Sequence, residues 1–281
     1  MDIFEDYKKD LKEDFHCEDL PFEFIRVYLT KKIEIPTNSY LIEKNPYLGL
    51  EIWHNSRQEQ IVVGKNFLII RSHYQVNIHY LLSISNEEMY GIIRSEITRL
   101  IRIENHKKSC FSFHAGLVEY EKKKIMIVGD KGMGKTSSCL YFLEKGAKIF
   151  TDELVFFNAD VVSGLSRLMS ISVENMQQYF SDYRNEVFRK SKSVLNLQEK
   201  VILKTKYSNN KLNNIDEVIL LVHSDSNLNT QFPYIKRKQL LSTQLIPGNV
   251  TCTENEIAIF NDLIEKTSIS SVSEIKSKLG L

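Results

Sequence analysis

The sequence predicts an α/β protein made of two parts. Up to about residue 84, β-branched and aromatic residues cluster in short runs, which is typical of strands. The apolar spacing then changes to that of an amphipathic helix. Beyond this helix, strands and a second helix alternate around a glycine-rich loop, as expected of an α/β domain. We therefore assign residues 1–85 to an N-terminal β-rich module and residues 86–281 to an α/β domain.

The N-terminal part contains three predicted strand regions. Residues 22–29 and 60–71 are rich in β-branched and aromatic side chains, and residues 76–84 form a third such run. Gly64-Lys65-Asn66 divides the second run and indicates a tight turn. These runs predict a small antiparallel sheet.

A helix is predicted to open the second part. Ser85 and Glu88 have the spacing of a capping box. The apolar residues that follow recur at helical intervals. They are Met89, Ile92, Ile93, Ile97, Leu100 and Ile101.

The order of the later elements is typical of an α/β domain. Two apolar runs, 111–120 and 124–128, flank a turn at 121–123. A helix is predicted over 135–145 with Gly146 just after its end, and strands over 147–151 and 154–157. Residues 216–222 are predicted as a buried strand and 271–279 as a helix. Residues 160–215 show no clear period, so we expect mixed structure there.

The composition excludes several classes of function. Lys and Arg number 37 against 36 Asp and Glu, so the charge gives no reason to expect nucleic acid or a membrane as a partner. Cys17, Cys110, Cys139 and Cys252 are scattered, which argues against a disulfide framework or a zinc site. The charged N-terminus lacks an apolar signal segment. We expect a cytoplasmic protein; a homo-oligomer stays open.

Residues Gly129 to Thr136, GDKGMGKT, match the phosphate-loop pattern G-x-x-x-x-G-K-[ST] in full. An apolar strand leads into this loop and a helix leads out. Glycines let the backbone approach phosphate oxygens closely, and the helix N-terminus adds partial positive charge. Lys135 is expected to reach the β- and γ-phosphates of ATP, and Thr136 to offer its hydroxyl to Mg²⁺. The predicted nucleotide-binding residues are Gly129, Asp130, Lys131, Gly132, Met133, Gly134, Lys135, Thr136 and Ser137.

Two acidic residues, Asp152 and Glu153, follow the next predicted strand. Ligands bind at such strand ends in α/β sheets. A carboxylate there holds Mg²⁺, or it accepts the proton of an attacking hydroxyl; the residues alone leave both roles open. His114 precedes the loop, and a lone histidine among apolar residues is more often structural than catalytic.

Three segments form a recognisable set: FHAGLV at 113–118, the phosphate loop, and GAKIFTDE at 146–153. Together they resemble the catalytic domain of HPr kinase/phosphorylase. In that family a histidine-containing strand start precedes the loop, and a paired acid follows one helix and one strand later. The resemblance is clear over 111–157, diffuse from about 86 to 245, and absent from the N-terminal part. It implies a P-loop kinase core that uses ATP and Mg²⁺.

The resemblance also implies roles for individual residues. His114 matches the active-site histidine of the family, and Asp152 matches the acid that acts on the acceptor serine proton. Glu153 stands where the family has a second aspartate, so the pattern is altered while a carboxylate is kept. The predicted catalytic residues are thus Asp152, His114 and Lys135. The predicted metal ligands are Thr136, Asp152 and Glu153.

One departure from the family shapes the expected function. The glycine-rich signature stretch that follows the paired acid in the bifunctional enzymes has no good match here, residues 163–169 being the nearest segment. The pattern looks more like the shorter HPr-kinase-like enzymes found beside ribosomal-peptide gene clusters, such as the lasso-peptide kinases. We therefore expect a kinase that phosphorylates a Ser or Thr hydroxyl of a peptide or protein, with a ribosomal precursor peptide as one candidate. A small-molecule hydroxyl kinase and a non-catalytic regulatory ATP-binding module stay open, and no motif identifies the acceptor.

Overall fold

The computed structural model describes every residue except 1–2, 16, 18, 46–49, 73–74, 108–110, 159–160, 166, 194–197, 206, 209–211, 223–237, 239–240, 243–244 and 248–253. The described part is a mixed α/β protein with several β-sheets. No helix in that part is both long and apolar enough to cross a membrane.

The helices and strands are numbered in chain order. The helices are α1 (Ile3–Phe15), α2 (Asn86–His106), α3 (Lys135–Glu144), α4 (Val173–Tyr179), α5 (Glu254–Glu265) and α6 (Val272–Lys278). The strands are β1 (Ile25–Leu29), β2 (Ser39–Asn45), β3 (Leu50–Asn55), β4 (Gln60–Val63), β5 (Phe67–Arg71), β6 (Val76–Tyr80), β7 (Phe111–Phe113), β8 (Ala115–Tyr120), β9 (Lys123–Val128), β10 (Lys148–Thr151), β11 (Val155–Asn158), β12 (Val161–Gly164), β13 (Met169–Ser172), β14 (Val187–Lys192), β15 (Glu199–Leu203), β16 (Glu217–Leu221), β17 (Leu245–Pro247) and β18 (Thr267–Ser270).

The chain divides into two compact units. One unit comprises Met1–Arg102 and Ser172–Ile202, and the other comprises Ile103–Ile171 and Leu203–Leu281. The predicted domains, 1–85 and 86–281, were each continuous in sequence, whereas each compact unit combines two separate stretches. The predicted domain boundary therefore stays a prediction.

The first unit contains a six-stranded sheet of order β1-β6-β5-β4-β3-β2. The predicted turn at Gly64 to Asn66 is confirmed, since the N–H of Gly64 donates to the carbonyl of Phe67 at 2.9 Å between β4 and β5. The sheet is larger than predicted and is not wholly antiparallel, because β1 pairs in parallel with β6.

Helix α1 was not predicted, although its apolar residues have helical spacing. Phe4, Tyr7, Leu11 and Phe15 are all buried. Asp14 fixes the end of this helix to α2: it accepts hydrogen bonds from the hydroxyl of Tyr90 at 2.8 Å and from Nε of Arg94 at 2.6 Å. The many charged residues between the apolar positions concealed this pattern.

Helix α2 begins as the sequence predicted. The Oγ atom of Ser85 accepts a hydrogen bond from the N–H of Glu88 at 3.1 Å, which satisfies one of the free N–H groups of the first turn. The apolar positions Met89, Ile92, Ile93 and Ile97 are fully buried. The predicted amphipathic helix is therefore confirmed.

The second unit contains a five-stranded sheet of order β10-β8-β9-β16-β18. Strands β9, β16 and β18 are parallel, whereas β8 is antiparallel to both β9 and β10. The carboxyl ends of β9, β10, β16 and β18 therefore lie along one edge, and so does the start of β8. This edge carries the phosphate loop, the acid pair and His114.

A second sheet of the same unit has the order β12-β11-β7-β17, with antiparallel neighbours. The sequence predicted one strand over 111–120, but the chain leaves this sheet after β7 and enters the five-stranded sheet at β8. His114 is the single residue between the two strands. The break places a polar side chain where an uninterrupted strand would have continued.

Candidate active site

The phosphate loop connects β9, at the centre of the five-stranded sheet, to α3. Gly134 occupies the N-cap position of α3 with φ 91°, in the left-handed region that favours glycine. A Cβ atom at Gly134 would lie 2.6 Å from Cγ2 of Val272, and one at Gly129 would lie 3.0 Å from Cβ of Leu221. Close packing thus disfavours a side chain at both positions, and the positive φ of Gly134 favours glycine there as well. Gly134 provides no side chain to cap α3, so at this residue the first N–H groups of the helix are left to other acceptors, such as a bound anion.

Lys135 is buried against this loop. Its Nζ donates hydrogen bonds to the carbonyl oxygens of Gly129 at 2.6 Å and Asp130 at 3.1 Å. Loss of solvation lowers the pKa of Lys135, while nearby negative charge, chiefly that of Glu153, opposes this effect. Phosphate oxygens are stronger acceptors for this ammonium than neutral carbonyls are.

Asp152 receives a hydroxyl hydrogen bond on each carboxylate oxygen. The Oγ1 of Thr136 donates to Oδ2 at 3.0 Å, and the hydroxyl of Tyr207 donates to Oδ1 at 3.3 Å. The Asp152 side chain is only 5% exposed, so these contacts replace much of its hydration. The predicted metal-binding residues Thr136 and Asp152 are therefore in direct contact.

Thr151 shapes the turn that presents the acid pair. Its Oγ1 donates to the carbonyl of Leu165 at 2.8 Å and accepts from the N–H of Glu153 at 3.1 Å. Thr151 is fully buried. This local hydrogen bonding ends β10 and directs Asp152 and Glu153 to the edge of the sheet.

Glu153 is engaged on two sides. Its carboxylate forms an ion pair with Arg167. Its backbone carbonyl lies 2.7 Å from Nδ1 of His114. A carbonyl oxygen only accepts hydrogen bonds, so Nδ1 of His114 must carry the hydrogen, and Nε2 of the neutral ring keeps its lone pair. His114 can therefore accept a proton at Nε2.

The structure brings Lys135, Thr136, Asp152, Glu153 and His114 together at one edge of one sheet. Of the other predicted loop residues, Asp130, Lys131 and Gly132 are exposed, and Met133 and Ser137 are partly buried. Within the described ranges, no group of three or more His, Cys, Asp or Glu side chains is arranged to hold a metal ion. The individual site assignments stay predictions, and a metal would rely on Thr136 and Asp152 together with oxygens from nucleotide and water.

Sequence reasoning missed three residues of this site. Thr151 lies in the segment GAKIFTDE, but the pattern of that segment indicates no role for its side chain. Arg167 lies in the segment 163–169, which matches the glycine-rich signature stretch poorly. Tyr207 lies in the stretch where no period could be recognised, and no sequence signal indicated it.

The residues present fit a magnesium nucleotide. Gly132 and Gly134 have positive φ, 88° and 91°, so the loop backbone takes a course in which successive N–H groups can face a phosphate. Lys135 provides a cation, and the Thr136 hydroxyl and Asp152 carboxylate provide hard oxygen donors, which Mg²⁺ prefers. The fit rests on the loop, the helix N-terminus and these three side chains.

Comparisons with known proteins add little to this picture. No family model matches the chain, and no curated protein matches it. Among solved structures, the HPr(Ser) kinase/phosphatase from Coxiella burnetii matches with a TM-score of 0.21 and 12% sequence identity. The match covers 43% of this chain and 66% of that protein. The likeness is partial and weak, so we base the function on the geometry of the site.

Proposed function

We propose that this chain is an ATP- and Mg²⁺-dependent kinase that transfers the γ-phosphoryl group to a Ser or Thr hydroxyl of a peptide or protein. The observation that carries the proposal is the 3.0 Å hydrogen bond from Thr136 to Asp152. It joins the last residue of a complete phosphate loop to a buried carboxylate. A phosphate-binding loop with an acid at this position has both parts that phosphoryl transfer to a hydroxyl needs.

Each residue has a separate role in this proposal. Lys135 and the first N–H groups of α3 attract and orient the β- and γ-phosphates. Thr136 and Asp152 would hold a magnesium ion, which would neutralise charge on the phosphates. Asp152 also accepts the acceptor proton, and His114, with its lone pair at Nε2, assists this transfer. Catalysis then rests on positioning and charge stabilisation.

The reaction balances without a further reactant. The acceptor hydroxyl oxygen forms a bond to the γ-phosphorus, and the bond from that phosphorus to the β–γ bridging oxygen breaks. ADP leaves with the bridging oxygen, and the hydroxyl proton passes to the carboxylate of Asp152 and then to solvent. Only bond exchange at one phosphorus is involved, so no redox step is required.

The sequence resemblance to HPr kinase/phosphorylase over 111–157 favours a peptide or protein acceptor, because that family phosphorylates a serine of a protein. The small-molecule kinase and the regulatory module remain the alternatives to test.

The direct test offers labelled ATP and Mg²⁺ to the wild-type chain with two sets of acceptors: serine- and threonine-containing peptides, and small alcohols and sugars. Label on a peptide supports the proposal. Label only on a low-mass product supports the small-molecule kinase, and nucleotide binding without transfer supports the regulatory module. Lys135→Met should abolish transfer, whereas Lys148→Met, at an exposed lysine of the same unit, should not.

A further inference from the structure

Tyr207 makes a side-chain contact with the candidate catalytic acid from a distant part of the chain. Its hydroxyl donates to Oδ1 of Asp152 at 3.3 Å, while Thr136 donates to Oδ2. The two donors approach different oxygens of the same carboxylate. Together they hold the carboxylate in one rotation about the bond to Cβ.

The backbone holds Tyr207 beside the strand that carries Asp152. Tyr207 forms a parallel β-bridge with Ile149 of β10, and the N–H of Ser208 donates to the carbonyl of Ile149 at 2.7 Å. Strand β10 lies at the edge of the five-stranded sheet, so this segment extends that edge. The tyrosine and the carboxylate are therefore anchored to the same strand.

We propose that Tyr207 is a positioning residue for Asp152: its hydroxyl holds one carboxylate oxygen, so that the other oxygen is turned toward Thr136 and the phosphate loop. This inference rests on the proposed function, because it assigns Tyr207 a part in the same site.

The chemistry of Tyr207 suits a permanent donor. Loss of solvation raises the pKa of Tyr207 well above its ordinary value, and the negative charge of Asp152 adds to this effect. The phenol therefore keeps its proton at any pH at which an enzyme works, and it does not compete with Asp152 for the acceptor proton.

The test compares Tyr207→Phe with Tyr120→Phe. Tyr120 is the last residue of β8, which runs antiparallel to β9 and β10, so the control removes a hydroxyl at the sheet edge opposite to the acid. The first readout is the affinity of Mn²⁺ for the ADP-bound protein at one fixed pH. In Tyr207→Phe this affinity should fall on the order of tenfold, because the carboxylate is no longer held in its orientation by the tyrosine hydroxyl. Affinity for metal-free ADP should not change.

A double-mutant cycle separates positioning from a general structural effect. In an Asp152→Asn background the further change Tyr207→Phe should leave Mn²⁺ affinity unchanged, because the carboxylate on which it acts is gone. Replacement of Tyr207 by 3-fluorotyrosine keeps the ring and supplies a stronger donor at the same position, so Mn²⁺ affinity should not fall below that of the wild type. This variant provides the test if Tyr207→Phe fails to fold.

Equal Mn²⁺ affinities of the ADP-bound wild type and Tyr207→Phe would overturn the inference. So would an equal effect of Tyr207→Phe with and without the carboxylate. These outcomes are distinct from failure of the proposed function, because metal and nucleotide binding are measured without an acceptor. If the wild type transfers phosphate to nothing, the binding measurements still decide the role of Tyr207.

Discussion

The Nδ1 atom of His114 donates a hydrogen bond of 2.7 Å to the backbone carbonyl oxygen of Glu153. The bond joins the residue at which the chain passes from one sheet to the other with the turn that carries the acid pair. It fixes the tautomer of His114 and leaves Nε2 as the basic nitrogen. One side chain thus both anchors the acid turn and provides a proton acceptor.

These two functions of His114 can be separated by substitution. In His114→Asn the amide nitrogen can take the place of Nδ1 and keep the bond to Glu153, but nothing replaces Nε2. We expect this variant to retain its fold and nucleotide affinity and to lose about tenfold or more in transfer rate. Single-turnover kinetics and a melting curve provide the measurement. Wild-type turnover in His114→Asn would show that His114 is only an anchor.

Nucleotide affinity should fall as the pH rises through the lowered pKa of Lys135. Phosphate attracts the protonated ammonium only, and burial lowers the pKa of this lysine below the ordinary value of 10.5. Nucleotide affinity is therefore highest at neutral pH, and it begins to decline at a lower pH than it would with an exposed lysine. In the pH range of this decline, nucleotide binding is accompanied by the uptake of a proton. Calorimetric titration of ADP in two buffers between about pH 7 and pH 10 measures this uptake.

The lowered pKa of Lys135 also affects the stability of the nucleotide-free protein. Because folding lowers the pKa of Lys135, the charged form of this lysine destabilises the folded protein. The unfolding free energy should therefore increase with pH over the same interval. Lys135→Met should remove both pH dependences, whereas Lys148→Met should keep them. Proton uptake that persists in Lys135→Met would assign it to another group.

Gly134 should tolerate a methyl group less well than Gly146 does. Both have positive φ, 91° and 83°, but a Cβ at Gly134 meets Val272 whereas one at Gly146 has no atom within 4 Å. Gly146→Ala should cost about 1–2 kcal/mol of unfolding free energy, from the backbone alone, and leave nucleotide binding intact. Gly134→Ala should cost more and weaken ADP binding. Urea unfolding with and without ADP measures both, and equal costs would contradict the packing at Val272.

Local signals predicted the parts of the site that are close in sequence. The loop, the acid pair and the strand before them follow from a motif and from apolar spacing, which depend on neighbouring residues only. Tyr207 reaches Asp152 across a separation of 55 residues, and no local pattern reports such a contact. The sheet change at His114 was hidden for a similar reason: both flanking strands are apolar, and pairing partners decide which sheet each strand joins.

The ion pair between Arg167 and Glu153 should show strong mutual dependence. The Arg167 side chain is 10% exposed and that of Glu153 is 26% exposed, so removing either one takes an ion-pair partner from a largely buried charge. We expect Arg167→Gln and Glu153→Gln each to lose about 1–3 kcal/mol of stability, with the double variant losing less than the sum. Denaturant unfolding of the four proteins measures the coupling. Additive losses would mean that the pair contributes no net interaction.

The measurement that tests the central claim most directly is Asp152→Asn in nucleotide titration and in single-turnover transfer to the acceptor that is found. Asn keeps the shape and an amide oxygen but cannot accept the hydroxyl proton. We predict that Mg-ATP still binds to Asp152→Asn while transfer falls by about 10²- to 10⁴-fold. The control Asp262→Asn, the same substitution on α5, should change neither Mg-ATP binding nor transfer. Transfer at the wild-type rate in Asp152→Asn would contradict the assigned role of Asp152. Loss of Mg-ATP binding would instead make Asp152 chiefly a metal ligand and His114 or Glu153 the better candidate for the base.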